Sequence, residues 1–364
     1  MKKTSFIVLA LAASFCLGFA FKGIITEPPT DNPMRRVTGI GGAAWLSGTT
    51  TISQNQPSSN FKFPVSNNNR WTLVIHGGAG GPAKGTMTED KEKQYTDKFT
   101  EALKVGSSIL EKGGSSLDAV EAVVRFMEDC PLFNAGKGAV LTEEGIAELD
   151  ASIMDGKSGM AGAVAGVTTI KNPIVAARAV MEKSKHLLLI DGGAEKFAKE
   201  QGLEIVDPAY FITPERKAAW EKIKKQKEQS GTVGAVAVDM QGNLAAATST
   251  GGMMYKMKGR VGDSPIIGAG TWAKNSTCAV SCTGHGEFFI RNVVAYDLSA
   301  LMEYKGMKLI DAANYLINGK LKGQGAEGGL IAVDKEGNIA MPFNTNAMFR
   351  GFVNYEEKTA VEIY

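Results

Sequence analysis

The junction at Gly231-Thr232 limits most what this chain can build. Before it lies a lysine-rich polar segment, residues 221–230 (EKIKKQKEQS), and after it a strand-like apolar run, Val233-Gly234-Ala235-Val236-Ala237-Val238, that begins at a threonine. Inside an intact chain the Thr232 hydroxyl is a weak nucleophile with no base of its own. Cutting the Gly231–Thr232 bond would leave an α-amine beside that hydroxyl, so nucleophile and base would share one residue. An α-amine titrates at about 7.7–8, and its unprotonated fraction can take the hydroxyl proton near neutrality. Taken alone, the stretch is better read as an ordinary loop entering an ordinary strand, because short motifs recur by chance.

Six further stretches change that reading. Before the junction come His76-Gly77-Gly78-Ala79-Gly80, Phe133-Asn134-Ala135-Gly136-Lys137-Gly138 and Leu149-Asp150-Ala151-Ser152-Ile153-Met154-Asp155-Gly156. After it come Ala247-Thr248-Ser249-Thr250-Gly251-Gly252, Gly259-Arg260-Val261-Gly262-Asp263-Ser264-Pro265 and Ser281-Cys282-Thr283-Gly284-His285-Gly286-Glu287. In this order the set resembles the plant-type asparaginase / isoaspartyl peptidase family of N-terminal-nucleophile hydrolases, from about Trp71 to near the C-terminus. The resemblance implies an α+β fold, a four-layer α/β/β/α sandwich in which Thr232 begins a central strand. It also implies self-cleavage of a hydrolase domain, 71–364, into 71–231 and 232–364.

By that resemblance Thr232 is both the self-cleavage site, with Gly231, and the hydrolytic nucleophile. Thr250 matches the second active-site threonine, which hydrogen-bonds the nucleophile. On its own, a hydroxyl at a strand end often bonds only to backbone. Thr283 and Gly284 match an oxyanion hole, although a lone Thr-Gly pair reads as a simple turn. Arg260 and Asp263 match a clamp in which guanidinium takes an α-carboxylate and carboxylate takes an α-ammonium. Without the family context they read equally as an ion pair close in sequence. Gly286 and Asn134 match pocket residues. His76 and His285 are read as structural or wall residues, since the terminal amine already fills the base's role. The main-chain carbonyls of Met127, Glu128, Cys130, Phe133, Ala135 and Lys137 match a loop that holds a structural sodium ion. No other cofactor is implied.

Composition narrows the class. The formal net charge is +2, from 40 Lys and Arg against 38 Asp and Glu, and no basic cluster is interleaved with aromatics, so nucleic acid is not an expected partner. Hydrophobic content of 44% suits a sizeable core. Lys2 and Lys3, an apolar stretch over 6–19 and Gly18-Phe19-Ala20 read as a secretory signal over 1–20, placing the protein in the periplasm or outside the cell. The apolar stretch is short for a bilayer, so no membrane attachment is expected after signal removal. Residues 21–70 are rich in Pro, Asn, Ser, Gly and Thr and read as a flexible extension. Cys16 leaves with the signal. Cys278 and Cys282 would lie about 13 Å apart along one strand, beyond disulfide reach, so the remaining cysteines read as buried free thiols. No CxxC pair, HExxH or other metal-ligand spacing occurs.

Periodicity and turn residues predict strands at 72–75, 147–154, 161–167, 233–238, 244–248, 277–283, 330–334 and 339–342, and in the C-terminal run. Helices are expected over 88–111, from Ser115 or Ser116 to about 127, from Asn172-Pro173 to about 183, and from Thr213-Pro214-Glu215 toward 229. Two more are expected over 287–304 and 309–321.

The activity these features imply is hydrolysis of isoaspartyl dipeptides and L-asparagine through a β-aspartyl-threonine ester, by a homodimer of processed αβ units. The expected partner is a small molecule or dipeptide with a free aspartyl head group. A glycosylasparaginase, a protein-directed threonine endopeptidase and a non-enzymatic secreted binding protein on the same scaffold are the alternatives.

Overall fold

The structure is a computed structural model that describes residues 70–223 and 231–364. The expected signal and most of the expected extension lie outside the described residues, as does the stretch 224–230. In chain order the first elements are β1 (Thr72–Ala79), α1 (Glu89–Leu110), α2 (Ser116–Asp129), β2 (Leu149–Asp155), β3 (Ala161–Val167) and α3 (Pro173–Lys183). Then come β4 (Leu188–Ile190), α4 (Asp191–Glu200), α5 (Pro214–Ile223), β5 (Val233–Val238), β6 (Leu244–Thr250), β7 (Thr271–Ala273) and β8 (Cys278–Gly284). The last are α6 (Gly286–Asn292), α7 (Val294–Lys305), α8 (Leu309–Asn314), β9 (Gly328–Asp334), β10 (Ile339–Ala340), β11 (Met348–Asn354) and β12 (Thr359–Glu362).

Two sheets form. The larger has the order β12-β11-β1-β5-β6-β2-β3-β4 and the smaller β10-β9-β8-β7. Side-chain alternation along each strand decides the layers. On β1 and β5, Leu73, Ile75, Val233, Ala235 and Ala237 face Phe99, Val120 and Val124 of α1 and α2. The intervening Val74, Val236 and Val238 face Ala279, Ile331 and Val333 of the smaller sheet. The far side of that sheet, Val280, Cys282, Leu330 and Ala332, packs on Phe289, Leu298 and Leu316. The result is the expected α/β/β/α sandwich, with β5 covered on both faces and flanked by β1 and β6.

The β5–β6 hairpin is tied down locally. Asp239 Oδ1 accepts from the N–H of Gln241 at 3.0 Å and of Asn243 at 2.9 Å, which closes the turn. Asp239 Oδ2 accepts from the Ser116 N–H at 3.0 Å, joining the turn to the start of α2. Ser115 caps that helix, accepting from the Asp118 N–H at 3.1 Å.

Three differences from the expected elements have physical causes. The helix expected over 287–304 breaks at Val293, whose φ of 49° and ψ of 48° turn the chain between α6 and α7. The helix expected over 309–321 runs as α8 and then widens into a π-helical stretch, Tyr315–Leu321. The strands β4 and β7 are only three residues each, too short to show a period, and α4 carries Gly192 and Gly193 in its first turn, which disguise its start. Cys130, Cys278 and Cys282 are free and buried, as expected. Among the described residues no helix is long and apolar enough to cross a membrane.

Candidate active site

Thr232 sits immediately before β5 and is 7% exposed. Its hydroxyl donates to Thr250 Oγ1 at 3.2 Å, and Thr250 Oγ1 in turn donates to the Gly231 carbonyl at 2.9 Å. The antiparallel pairing of Val233 with Ser249 places the first residues of β5 beside the last of β6, which brings the two threonines together. Thr250 Oγ1 also accepts from the Gly252 N–H at 2.8 Å, fixing its rotamer.

Asn134 completes the surroundings of the Gly231–Thr232 peptide. Its Nδ2 donates to the carbonyls of Gly231 at 2.6 Å and Gly252 at 2.8 Å, and its Oδ1 accepts from the Val140 N–H at 2.8 Å. The glycine-rich end of β1, where the pairing with β11 shifts register between His76 and Gly78, leans on the same bond. Gly78 has a φ of +111°, and a Cβ there would stand 2.9 Å from Gly231 Cα and 3.0 Å from Thr232 N. Only a residue without a side chain permits that approach.

Thr283 is buried near the end of β8, and its Oγ1 accepts from the Ala79 N–H at 3.1 Å. That bond leaves the Thr283 hydroxyl hydrogen available to another acceptor. Gly284 has a φ of +150°, and a Cβ would lie 2.5 Å from both Glu327 O and Gly328 Cα.

Arg260, Asp263 and Gly286 also come together. Arg260 Nε donates to Glu287 Oε1 at 3.0 Å, and its Nη2 stands 2.9 Å from the same oxygen. A Cβ on Gly286 would lie 2.8 Å from Asp263 Oδ1 and 3.0 Å from Arg260 Nη2. Burial raises the Asp263 carboxyl to about 7, against the smaller opposing pull of the Arg260 charge. Gly252 connects this clamp to Thr232. Its carbonyl is held by Asn134, its N–H by Thr250, and a Cβ on it would lie 3.5 Å from Arg260 Nη1.

Behind these groups runs a buried chain of hydroxyls that the sequence did not disclose. His76 Nε2 is 2.9 Å from Ser281 Oγ, and Ser281 Oγ is 2.7 Å from Thr248 Oγ1. Thr271 Oγ1 donates to Thr248 Oγ1 at 2.6 Å, and Ser152 Oγ is 2.8 Å from Thr271 Oγ1 and 2.6 Å from the Ser264 carbonyl. The chain links β1, beside the start of β5, to the residue after Asp263. Burial lowers His76 to about 3, so the ring is neutral and acts as a hydrogen-bonding post. The only sequence signal for this chain is small hydroxyls on strands, and their facing across two sheets is a product of packing.

Glu128 is a second group missed as a side chain. Its Oε1 accepts from Ser249 Oγ at 2.7 Å and from the Ile174 N–H at 3.0 Å, and burial raises the carboxyl to about 8. It therefore ties the end of α2 to the start of α3 and to the residue before Thr250. In the same loop the carbonyls of Met127, Cys130 and Ala135 each accept a main-chain N–H, at 3.2, 3.3 and 3.2 Å. A Cβ on Gly136 would lie 2.3 Å from Glu128 O, and one on Gly138 would lie 2.2 Å from Phe133 O. The Lys137 ammonium stands over the Tyr210 ring, 5.3 Å from its centroid.

Comparison with known proteins gives a consistent result. The family model described as Asparaginase matches residues 69–363. The chain is 50% identical over 298 residues to an isoaspartyl peptidase of Salmonella typhimurium, covering 78% of this chain and 95% of that one. It is 49% identical over 294 residues to the isoaspartyl peptidase of Escherichia coli, covering 77% and 92%. To an isoaspartyl peptidase/L-asparaginase of Homo sapiens it is 43% identical over 285 residues, covering 76% and 91%.

Proposed function

Because the chain belongs to the asparaginase family, we propose that it is a self-processing threonine hydrolase that cleaves isoaspartyl dipeptides and L-asparagine. The observation that carries this reading is the hydroxyl chain from Thr232 through Thr250 to the Gly231 carbonyl. In the uncut protein, Thr250 and the Asn134 amide together polarise the carbonyl that the Thr232 oxygen attacks. The C–N bond breaks as the acyl group moves to Oγ, which frees the Thr232 amine, and water then hydrolyses the ester to a Gly231 carboxylate and the free Thr232 hydroxyl.

In the processed enzyme that amine takes the proton from Oγ, and Oγ attacks the side-chain carbonyl of an aspartyl unit. The Thr283 hydroxyl and the Gly284 N–H face the negative charge that develops on the carbonyl oxygen. Arg260 takes the substrate's α-carboxylate and Asp263 its α-ammonium, so the opposite charges of the clamp select a zwitterionic head group. The proton held by the Thr232 amine passes to the leaving nitrogen, and water releases aspartate from the β-aspartyl ester.

The isoaspartyl peptidase name carried by the relatives above favours this reading over a glycosylasparaginase. Incubated wild-type protein should split on a denaturing gel, with one fragment starting Thr-Val-Gly-Ala by end-group sequencing. It should release leucine from β-aspartyl-leucine faster than it cleaves a glycosyl-asparagine. Splitting by Thr232→Ala, or a faster rate on the glycosyl-asparagine, would overturn the assignment.

A structural sodium ion held by the main-chain carbonyls of Met127, Glu128, Cys130, Phe133, Ala135 and Lys137 is also part of the proposal, since carbonyl oxygens suit a hard cation. Its role would be to stiffen the loop carrying Asn134, with no part in the bond-breaking steps. Export by a cleaved signal over 1–20 and a homodimer of processed αβ units remain part of the proposal.

A further inference from the structure

Lys256 and Asp150 form a buried ion pair that no step above uses, with Nζ 4.0 Å from Oδ2 and side chains 1% and 0% exposed. Asp150 stands on β2 directly across from Thr250 on β6, and Lys256 lies in the loop that leads from β6 to Arg260. We propose that Lys256 is a positioning residue of the substrate clamp, neutralising a carboxylate behind Gly252 that would otherwise draw Arg260 away from the substrate's α-carboxylate. The proposal rests on the reading of Arg260 as the group that takes that carboxylate.

Stability alone gives no reason for the pair, because taking two charges out of water often costs more than their attraction returns. Its position gives one. Gly252 has a φ of +81°, and a Cβ there would stand 3.0 Å from Lys256 Nζ and 3.5 Å from Arg260 Nη1. The two cations thus share the space over one glycine, whose carbonyl and N–H are held by Asn134 and Thr250. Lys256 is fixed at both ends. Its Nζ donates to the Glu148 carbonyl at 3.0 Å, and its main-chain carbonyl accepts from the Glu143 N–H at 2.8 Å. Glu148 Oε2 also accepts from the Gly259 N–H at 2.9 Å, immediately before Arg260.

The charges state what the ammonium is for. Asp150 Oδ1 accepts from the Gly166 N–H at 2.9 Å, whereas Oδ2 makes no hydrogen bond among the described residues and faces Lys256. Burial pushes the Asp150 carboxyl up, and the Lys256 charge, the Gly166 hydrogen bond and the Arg260 charge pull it back. The field of Asp150 therefore already reaches Arg260. Without the ammonium, Oδ2 would compete for the guanidinium fork that must close on the substrate.

The test uses processed enzyme cleaving β-aspartyl-leucine, with L-aspartate and β-alanine as competitive inhibitors. β-Alanine keeps the ammonium and the reacting carboxyl but lacks the α-carboxylate, so only L-aspartate reports on Arg260. Lys256→Met should raise the L-aspartate inhibition constant by about tenfold, the low end for a contact to a charged group, and leave that of β-alanine within about twofold. Combining it with Asp150→Asn should recover most of the L-aspartate affinity, because the uncompensated charge is gone. A purely architectural role would raise both constants together and leave the double variant no better than the single one, and either result overturns the proposal. If Lys256→Met fails to fold or to split, the double variant decides. Near-wild-type inhibition by L-aspartate then supports the proposal, and weakened inhibition by both compounds overturns it. A wild type that cleaves β-aspartyl-leucine yet is inhibited equally by the two compounds would overturn the reading of Arg260 itself.

Discussion

Asn134 holds the Gly231 carbonyl from outside the strand that follows it, with Nδ2 2.6 Å from the oxygen. Because the same amide spans Gly252 and its Oδ1 is fixed by Val140, the side chain has one orientation and is in place before any bond breaks. Removing one such preorganised donor costs about 3–4 kcal/mol of transition-state stabilisation. Asn134→Ala should therefore fold but slow splitting by about two to three orders of magnitude. A time course on denaturing gels checks it, and wild-type splitting rates would contradict it.

Gly78→Ala tests the approach of the glycine-rich end of β1 to the Gly231–Thr232 peptide, the bond proposed to split. The new methyl would stand 2.9 Å from Gly231 Cα at a φ of +111°, so either the strand end or the peptide must move. Splitting should fall at least about tenfold while the far-ultraviolet circular dichroism stays that of wild type. A protein that splits normally would show that the strand end yields without cost.

Asp263 gives activity a pH signature. Burial raises its carboxyl to about 7, so below that the group is largely protonated and, in the proposed clamp, would not pair with a substrate ammonium. The kcat/KM for β-aspartyl-leucine should rise through pH 7, and Thr232 amine deprotonation near 8 adds to the same limb. Measuring the profile in Asp263→Asn separates the two, because the variant should retain only the amine's contribution on a much reduced rate.

Glu128 gives stability a signature of opposite sense. Its pKa is raised from 4.5 to about 8 in the folded state, so the native protein binds more protons than the unfolded chain between those values. Stability contributed by the protonated form is present below 4.5 and lost as pH rises through 8. Asp263 acts in the same direction between 3.8 and about 7. His76, lowered to about 3, acts oppositely below 6.5, where the unfolded chain gains the proton. Urea unfolding of Glu128→Gln should show a variant that gains on wild type as pH rises from 5 to 8.5. A gap that is constant with pH would contradict the assignment.

Ser281→Ala removes the first hydroxyl of the chain, leaving His76 Nε2 and Thr248 Oγ1 each one partner short. An unsatisfied buried polar group costs about 1–3 kcal/mol, which urea denaturation would register. Because the chain ends on the Ser264 carbonyl, beside Asp263, KM should rise more than kcat falls. Conservative Ser281→Thr, if its methyl is accommodated, should recover part of both effects.

Much of this was legible in the chain before folding. The strands containing Val233, Ala235 and Val236 declare themselves by apolar content, and Asp239 with Gly242 announces the hairpin that joins them. Ser115 marks a helix start through its capping hydroxyl, and Pro173 marks another through its fixed φ in the first turn. Val293 gave no warning, since nothing in its composition signals a left-handed backbone. Thr250, Arg260, Asp263 and Thr283 stood out only as members of an ordered set of motifs. The partnership of Arg260 with Glu287 was invisible, because its meaning depends on how the Gly259–Asp263 stretch meets the start of α6.

The sequence singled out Thr232 as the residue proposed to become a nucleophile with its own base, because the motifs on either side of the Gly231-Thr232 junction fall in one order along the chain. It likewise determined the alternation that buries β5 on both faces, since strand periodicity is a local property. Tertiary structure alone decided what surrounds that residue. Asn134, Gly78, Thr250 and the hydroxyls from His76 to Ser152 come from distant parts of the chain, and only the pairing of strands within and between the sheets brings their atoms within bonding distance.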